Sequence, residues 1–266
     1  MISGRPHLFI DVQHGLCNRL RAMASAAAIA ERSDRTLVVV WRPDHHCEAR
    51  LVDLFSYDGA VVEDDRTAEW CRRSAGLSYN HMEIEPDARF GEPILGGADA
   101  DWSGDVYVRS AYWLTGPYAC DRTTDQVLRA LRPAPSVLSL LNGVPRPNRL
   151  AVHIRMATGP GYEHLSYEAP ENWPAARHRE LTHWRQQSHM DRFVARVDAL
   201  VADGKADSIF LAADIPEAYE RFSARYGDRV VSLPRWEFDR SATQHRFALA
   251  DLMMLTAADR FLGSSW

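Results

Sequence analysis

Cysteine is scarce in this sequence of 266 residues, and its four cysteines are widely scattered. No CxxC pair is present, so we interpret all four as reduced thiols of a cytoplasmic protein rather than as disulfides. No apolar run approaches the roughly 18 residues of a membrane-spanning helix, and the N-terminus has no long apolar segment typical of a secretory signal. Positive charge is not in excess either: the net charge of -5 argues against nonspecific nucleic-acid binding.

The composition is that of an ordinary globular protein, with 46% hydrophobic and 25% charged residues. The length fits two α/β domains of roughly 130 residues each. A strand at 7–12, a glycine turn, an alanine-rich helix from Asn18 to Arg32 and an apolar strand at 36–41 predict a βαβ unit, with Asn18 as the helix N-cap. Only one glycine lies in the turn, so the G-x-G-x-x-G dinucleotide fingerprint is missing.

The rest of the first half is harder to interpret. Residues 56–105 look irregular, a strand is expected at 106–110, and a helix is expected at 124–131, capped by Thr123 or Thr124. The proline- and glycine-rich segment 143–148 is the best candidate for a domain boundary.

The βαβ pattern restarts after this segment. We expect a strand at 149–154, a long polar loop, and then alternating elements: helix 190–203, strand 208–212, helix 216–226, strand 229–233, helix 248–257 and strand 260–262. Strands that alternate with helices in two halves predict an α/β protein with two Rossmann-like, doubly wound domains facing a cleft, residues 1–147 and 148–266.

The stretch Leu150 to Arg155 carries the clearest chemical signal. In a strand of period two, His153 and Arg155 point to one side while Ile154 points to the other. Open α/β sheets bind ligands at the carboxyl ends of their strands, and arginine matches a phosphate with a planar fork of donors. A phosphate-bearing ligand at Arg155 and a simple pairing of Arg155 with a surface carboxylate remain equally open at this point.

A second cluster, Asp44-His45-His46-Cys47, invites a metal interpretation. Adjacent residues rarely all face one ion, and no second cluster with ligand spacing follows. We predict no metal site, and we interpret this cluster as a loop that enters a short helix.

Several segments resemble one family when they are taken together in chain order. Gly15-Leu16-Cys17-Asn18-Arg19-Leu20 is similar to the Gly-x-Gly-Asn-Arg/Gln-Leu loop of the α1,6- and protein-O-fucosyltransferases, including the bacterial nodulation-type enzymes. His153-Ile154-Arg155 resembles their His-x-Arg motif, and residues 210–216 resemble a segment that follows it. Residues 251–265 resemble the motif that closes the family's donor site.

The resemblance implies a bacterial, metal-independent fucosyltransferase of the GT-B fold that inverts the sugar carbon. GDP-fucose would be its donor, with no separate cofactor, and a glycan or lipid-linked oligosaccharide its acceptor, so the enzyme would be cytoplasmic or peripheral at the inner face of the membrane. Residues 1–147 would form the acceptor side and residues 148–266 the nucleotide-sugar side. The residues implied in donor binding are His153, Arg155, Asp251, Ser264, Ser265, Gly15, Asn18 and Arg19.

Within that set, Arg155 would bind the diphosphate and Asp251 the guanine, with Ser264 and Ser265 beside the β-phosphate. The catalytic base would be Glu163, which lies where the α1,6 enzymes carry a glutamate. A solvated loop acid is the equal alternative for Glu163. Asp214 and Glu168 are further candidates, because an inverting transfer needs a group that takes the acceptor proton.

Three departures from the family pattern affect these expectations. Cys17 replaces a glycine, which would make a positive φ harder to adopt in the turn. Met156 stands where the α1,6 enzymes often have a second basic residue. The sequence ends at Trp266 within the serine-rich motif, so we expect the second domain to be incomplete. A transferase that uses another nucleotide sugar and a noncatalytic nucleotide- or glycan-binding module are the alternative functions.

Overall fold

The computed structural model describes residues 4–83, 85, 87–146, 149–156 and 174–264. The chain forms two compact units, Met1–Ala134 (unit 1) and Pro135–Trp266 (unit 2). The division therefore falls between Ala134 and Pro135, and not at 147/148 as we expected. The physical reason is that the short helix starting at Pro135 packs against the long helix Ala242–Thr256, and so belongs to the second core.

Unit 1 is built on a parallel sheet. Its elements are β1 His7–Val12, α1 Leu16–Arg32, β2 Thr36–Val40, α2 Leu51–Leu54, β3 Phe55–Ser56, β4 Ala60–Val62, α3 Asp65–Ser74, β5 Leu77–Asn80, β6 Val106–Ser110, α4 Asp121–Ala130 and β7 Arg132–Pro133. Five strands pair in the order β4-β2-β1-β6-β5, all parallel, while β3 pairs antiparallel with β7.

The central strand β1 explains how unit 1 packs. Leu8 and Ile10 on one face are completely buried and Phe9 on the other is 3% exposed, as expected of a parallel strand covered on both faces. Helix α1 lies against β1 and β2, and its small buried residues, such as Ala22 and Ala26, let its backbone approach the sheet closely. On the other face, α3 packs Cys71 against the cluster that contains Phe9 and Tyr107.

Unit 2 repeats the plan with a smaller sheet. Its elements are α5 Pro135–Leu138, β8 Leu150–Ile154, α6 Ala175–Gln187, α7 Met190–Ala202, β9 Ile209–Ala213, α8 Pro216–Tyr226, β10 Val230–Val231, α9 Ala242–Thr256 and β11 Arg260–Gly263. The sheet order is β10-β9-β8-β11, all parallel. Alternate residues of β8, including Val152 and Ile154, pack with Val197 of α7 and Phe222 of α8 in one core.

The two sheets share a topological feature that positions ligand sites. In unit 1 the chain runs outward from β1 to β2 and β4, then crosses to β5 at the opposite edge and comes inward to place β6 on the other side of β1. In unit 2 it runs from β8 to β9 and β10, and then returns to place β11 beside β8. The strand order reverses between β1 and β6 and between β8 and β11, and the carboxyl ends of strands at such switch points are where open α/β sheets bind ligands.

The sequence-based boundaries are confirmed where the apolar pattern is strong, as in β1, β8, α7 and α8. The prediction that 56–105 is irregular is wrong, because it contains β4, α3 and β5. These strands have three and four residues at or near the sheet edges, too few for a clear period. The predicted polar loop after β8 likewise contains α6.

Three helix starts were also predicted wrongly. Helix α1 begins at Leu16 with Gly15 as its N-cap, so Asn18 lies inside the first turn. Helix α4 begins at Asp121, before both threonines proposed as caps. Helix α9 begins at Ala242, where the Ser241 hydroxyl accepts a hydrogen bond from the Gln244 amide at 3.2 Å. Within the described parts of the chain, no helix has both the length and the apolar character needed to cross a bilayer.

Candidate functional site

The carboxyl end of β8 gathers three of the predicted donor-binding residues. His153 and Arg155 are half-buried, whereas Ile154 between them is completely buried in the core, as the two-residue period predicts. The Arg155 amide donates to Ser264 Oγ at 2.8 Å, and the Ser264 amide donates to the His153 carbonyl at 3.1 Å. These bonds join the chain just beyond β8 to the chain just beyond β11, at the switch point of unit 2.

Asp214 fixes the same strand end from the other side. Its Oδ1 accepts a hydrogen bond from the Met156 amide at 2.8 Å, and its own amide donates to the Ile154 carbonyl at 3.3 Å. An Asp214 oxygen is therefore engaged in holding backbone. Met156, found where a basic residue was expected, turns toward the core, and its sulfur accepts the Met190 amide at 3.1 Å.

Asp251 lies on α9 and is almost completely enclosed, at 6% exposure. Its Oδ2 accepts a hydrogen bond from Arg235 Nη2. Burial raises the pKa of the Asp251 carboxyl to about 6, although Arg235 counteracts the rise. Three buried polar atoms in this region have no hydrogen-bond partner among the described residues: Asp251 Oδ1, Arg235 Nε and Gln244 Oε1. Such orphaned groups in a folded chain point to a ligand or water partner.

Arg235 also borders a cavity of about 460 Å³, together with Tyr219, Leu233 and Trp236. The Trp236 side chain is 82% exposed. Arg235 and Trp236 lie in the loop after β10 and were not predicted from the sequence. An adjacent arginine and tryptophan just beyond a predicted strand were the available signal.

The turn between β1 and α1 has a different geometry from the one expected. The positive φ lies at His14 (62°), while Gly15 is extended and Cys17 is helical. The expectation that Cys17 impairs this turn is therefore wrong, because a helical position does not require the freedom of glycine. Asn18 Oδ1 accepts a hydrogen bond from Arg21 Nη1 at 3.0 Å.

Arg19 is completely buried, with 0% exposure. Its Nε donates to the His14 carbonyl and its Nη1 donates to the Arg42 carbonyl, both at 2.7 Å. Its Nη2 forms an ion pair with Asp44 at 2.7 Å, and the guanidinium lies 5.2 Å from the Trp41 ring centroid. This side chain ties together the loops that follow β1 and β2, which favours a positioning role over the direct donor contact that we expected.

A charged network at the switch point of unit 1 was not predicted from the sequence. Asp11 is 1% exposed, and Tyr107, Arg42 and Arg109 donate to its Oδ2 at 2.7, 2.8 and 3.1 Å. Gln13 donates to its Oδ1 at 2.8 Å. The available signal was an aspartate inside an apolar strand, since buried carboxylates are rare unless they are paired.

Glu163, Glu168 and Ser265 lie outside the described residues, so their roles stay predictions. Across the described ranges, no group of three or more histidine, cysteine or acidic side chains is arranged to hold a metal ion.

Comparison with solved structures identifies the architecture. The structure of NodZ α1,6-fucosyltransferase soaked with GDP-fucose superposes with a TM-score of 0.61 and 17% identity, over 97% of this chain and 88% of that one. The fold matches that of the GT-B fucosyltransferases. A second NodZ structure, from Bradyrhizobium, gives a TM-score of 0.59 and 17% identity, over 97% of this chain and 87% of that one.

Two further fucosyltransferases share this fold. The apo form of POFUT1 matches with a TM-score of 0.52 and 14% identity, over 99% of this chain and 92% of that one. The R284K variant of Arabidopsis thaliana FUT1 in complex with GDP gives 0.54 and 13%, over 99% of this chain and 66% of that one. No protein-family model matches the chain, and no curated protein matches its sequence. Identities this low establish the fold of the chain and leave its activity to be argued from its residues.

Proposed function

We propose that this chain is an inverting glycosyltransferase that moves fucose from GDP-fucose to a hydroxyl group of a glycan or lipid-linked oligosaccharide. The observation that carries the proposal is the position of His153, Arg155 and Ser264 at the switch point of unit 2. A His-x-Arg pair at that point supports phosphate binding, and the GT-B fucosyltransferase fold supports a nucleotide sugar as the phosphate-bearing ligand.

Arg155 is proposed to bind the diphosphate of the donor. As the bond from the sugar carbon to the β-phosphate oxygen breaks, negative charge builds on the departing GDP. The bond from the Arg155 amide to Ser264 Oγ fixes the backbone that carries the guanidinium, which is proposed to stabilise that charge, so we propose that no metal is required. Ser264 and Ser265 then act at the phosphate end of the donor, with His153 beside them.

Asp251 and Arg235 are proposed to read the guanine base. The guanine edge carries N–H donors that suit Asp251 Oδ1 and a carbonyl oxygen that suits Arg235 Nε, and both protein atoms are without a partner among the described residues. Both atoms are covered in this structure, so we propose that the Arg235 side chain shifts when the guanine base binds and then contacts the base itself. The exposed ring of Trp236 offers a surface on which the base can stack.

Glu163 is proposed as the base. The acceptor oxygen would bond to the sugar carbon as the bond to GDP breaks, and the hydroxyl proton would pass to the Glu163 carboxylate. The turn from Gly15 to Asn18 stays a predicted contact of the diphosphate, while we propose that Arg19 acts by holding that turn in place.

Transfer of label from GDP-fucose to a panel of oligosaccharides tests the function, with and without a chelator. We expect transfer that survives chelation and a product whose anomeric configuration, determined by NMR, is opposite to that of the donor. Glu163→Gln should abolish transfer and leave GDP binding unchanged. Retained configuration would contradict the inverting mechanism, and loss of activity in Glu168→Gln instead would reassign the base.

A further inference from the structure

A cavity of about 750 Å³ lies over one face of the sheet in unit 1. Phe9 and Tyr107 of this face are covered by α3. The neighbouring strands β5 and β6 present Ser78, Asn80 and Arg109 to the same side, since Ser78 is in register with Tyr107 and Asn80 with Arg109. The volume is in the range of small-molecule sites, and the polar side chains on this sheet face supply hydrogen-bonding groups.

The floor of the cavity is a network of hydrogen bonds and ion pairs that holds its side chains in fixed orientations. Arg109 donates to Asp11 Oδ2 at 3.1 Å and to Glu85 Oε1 at 2.8 Å. Asn80 Nδ2 donates to Glu85 Oε2 at 2.8 Å. Glu85 is thus held in one orientation by two neighbours, in a position about one-third exposed where a ligand can reach it.

The protonation states in this network are also fixed at neutral pH. Burial raises the pKa of the Glu85 carboxyl, but hydrogen bonds from Arg109 and Asn80 outweigh burial and hold that pKa below its ordinary value. Burial and the Asp11 carboxylate raise the pKa of Tyr107 far above its ordinary range. The network therefore offers the ionised Glu85 carboxylate near the neutral Tyr107 phenol.

The charge balance selects the class of ligand. Among the described lining residues, five carboxylates face four guanidinium groups. A phosphate would have to displace carboxylates from their arginines and would then lie beside an excess of negative charge. A sugar hydroxyl group donates one hydrogen bond and accepts two, so neighbouring hydroxyls can bridge a carboxylate and its arginine without disrupting the pair.

We infer that this cavity binds a neutral saccharide, and that Asn80, Glu85 and Arg109 form the acceptor subsite of the transferase. The inference rests on the proposed function and assigns the acceptor to the switch point of unit 1.

Direct saccharide binding tests this inference. The probe is an immobilised array of short neutral gluco-, manno-, galacto- and N-acetylglucosamine oligosaccharides, with inorganic phosphate as a soluble competitor. Glu85→Gln keeps the side-chain shape and Asn80→Ala removes a neighbouring donor, while Glu31→Gln on the exposed face of α1 is the matched control. Thermal melting establishes that each variant is folded, and GDP affinity is measured in parallel.

We expect wild type and Glu31→Gln to bind one class of oligosaccharide equally. Glu85→Gln and Asn80→Ala should bind it at least about tenfold more weakly, the size expected for a lost hydrogen bond to a charged group. The GDP affinity of all four proteins should agree, and phosphate should not compete. Absence of saccharide binding, equal binding by all variants, or displacement by phosphate would overturn the subsite. Failure of wild type to bind GDP would instead overturn the proposed donor. The saccharide measurement would still test the subsite independently.

Discussion

The two units use the same topology and different chemistry at their switch points. In unit 1 the space between the ends of β1 and β6 is occupied by the buried Asp11 and the half-buried Arg109, which form an ion pair. In unit 2 the ends of β8 and β11 are joined by a backbone amide and the neutral Ser264 hydroxyl, with His153 and Arg155 half-buried beside them.

We infer from the difference that strand order sets the place of each candidate site and that side-chain charge sets the class of ligand it suits. In unit 1 the arginines are balanced by carboxylates, which favours a neutral molecule rich in hydroxyl groups. In unit 2 the basic His153-Ile154-Arg155 end of β8 favours an anion, as a diphosphate would be. The next two predictions each compare unit 1 with unit 2, first in stability and then in the pH dependence of binding, with the larger expected effect first.

Removing the side chain that connects neighbouring segments at each switch point should lower the free energy of unfolding by different amounts in the two units. Arg19→Ala leaves two backbone carbonyls and part of Asp44 without a partner inside unit 1, so we expect the free energy of unfolding to fall by about 3 kcal/mol. Ser264→Ala removes a neutral hydroxyl that accepts from the Arg155 amide at 2.8 Å and donates weakly to the His153 carbonyl at 3.4 Å, and we expect a loss of about 1 kcal/mol.

Urea denaturation measures both changes. Arg21→Ala, on the exposed side of the same helix as Arg19, is the control and should change stability by no more than about 0.5 kcal/mol. Equal losses for Arg19→Ala and Arg21→Ala would show that Arg19 does not hold the two loops together.

The second prediction concerns pH. With a pKa of about 6, Asp251 loses its charge below neutrality, so GDP affinity should fall by about tenfold between pH 7 and pH 5 if the ionised carboxylate accepts from guanine. Saccharide binding in unit 1 should be constant over this range, because the pKa of Glu85 lies below its ordinary value. The free energy of unfolding changes with pH in the opposite direction to GDP affinity. Because folding raises the pKa of Asp251, its contribution to stability is fully present below the ordinary pKa of 3.8 and is lost as the pH rises through about 6.

Calorimetric titrations with GDP at several pH values measure this dependence. The terminal phosphate of GDP titrates in the same range, so Asp251→Asn separates the two effects. The pH dependence that persists in the variant belongs to the phosphate. If the pH dependence of GDP affinity is the same in Asp251→Asn as in wild type, Asp251 does not contact the guanine base.

The sequence was sufficient for features that repeat along a strand or helix. The period of two at His153, Ile154 and Arg155 predicted the two faces at the end of β8, and the βαβ pattern predicted all four strands of the unit 2 sheet but only β1, β2 and β6 of the unit 1 sheet. Features that depend on pairing between distant segments were not accessible. Nothing near Asp11 in the sequence indicates Arg109, which is 98 positions away and meets it through the register of β1 and β6.

The roles of individual arginines could not be read from the sequence for a related reason. A motif residue such as Arg19 looks like a ligand contact until its burial is known, because a buried arginine that holds carbonyls and an exposed arginine that binds phosphate have the same letter in the sequence. Arg235 was missed for the opposite reason. It belongs to no motif, and its relation to Asp251 appears only when the loop after β10 folds against α9.

The central claim is that the switch point of unit 2 binds the diphosphate of GDP through Arg155. Titration calorimetry of wild type and Arg155→Ala with GDP, UDP and ADP tests it most directly, with the exposed Arg129→Ala as the matched control. We predict that wild type and the control bind GDP in preference to UDP and ADP, and that Arg155→Ala binds GDP about 100-fold more weakly while melting at the same temperature. GDP binding of wild-type strength in a folded Arg155→Ala protein would contradict the account.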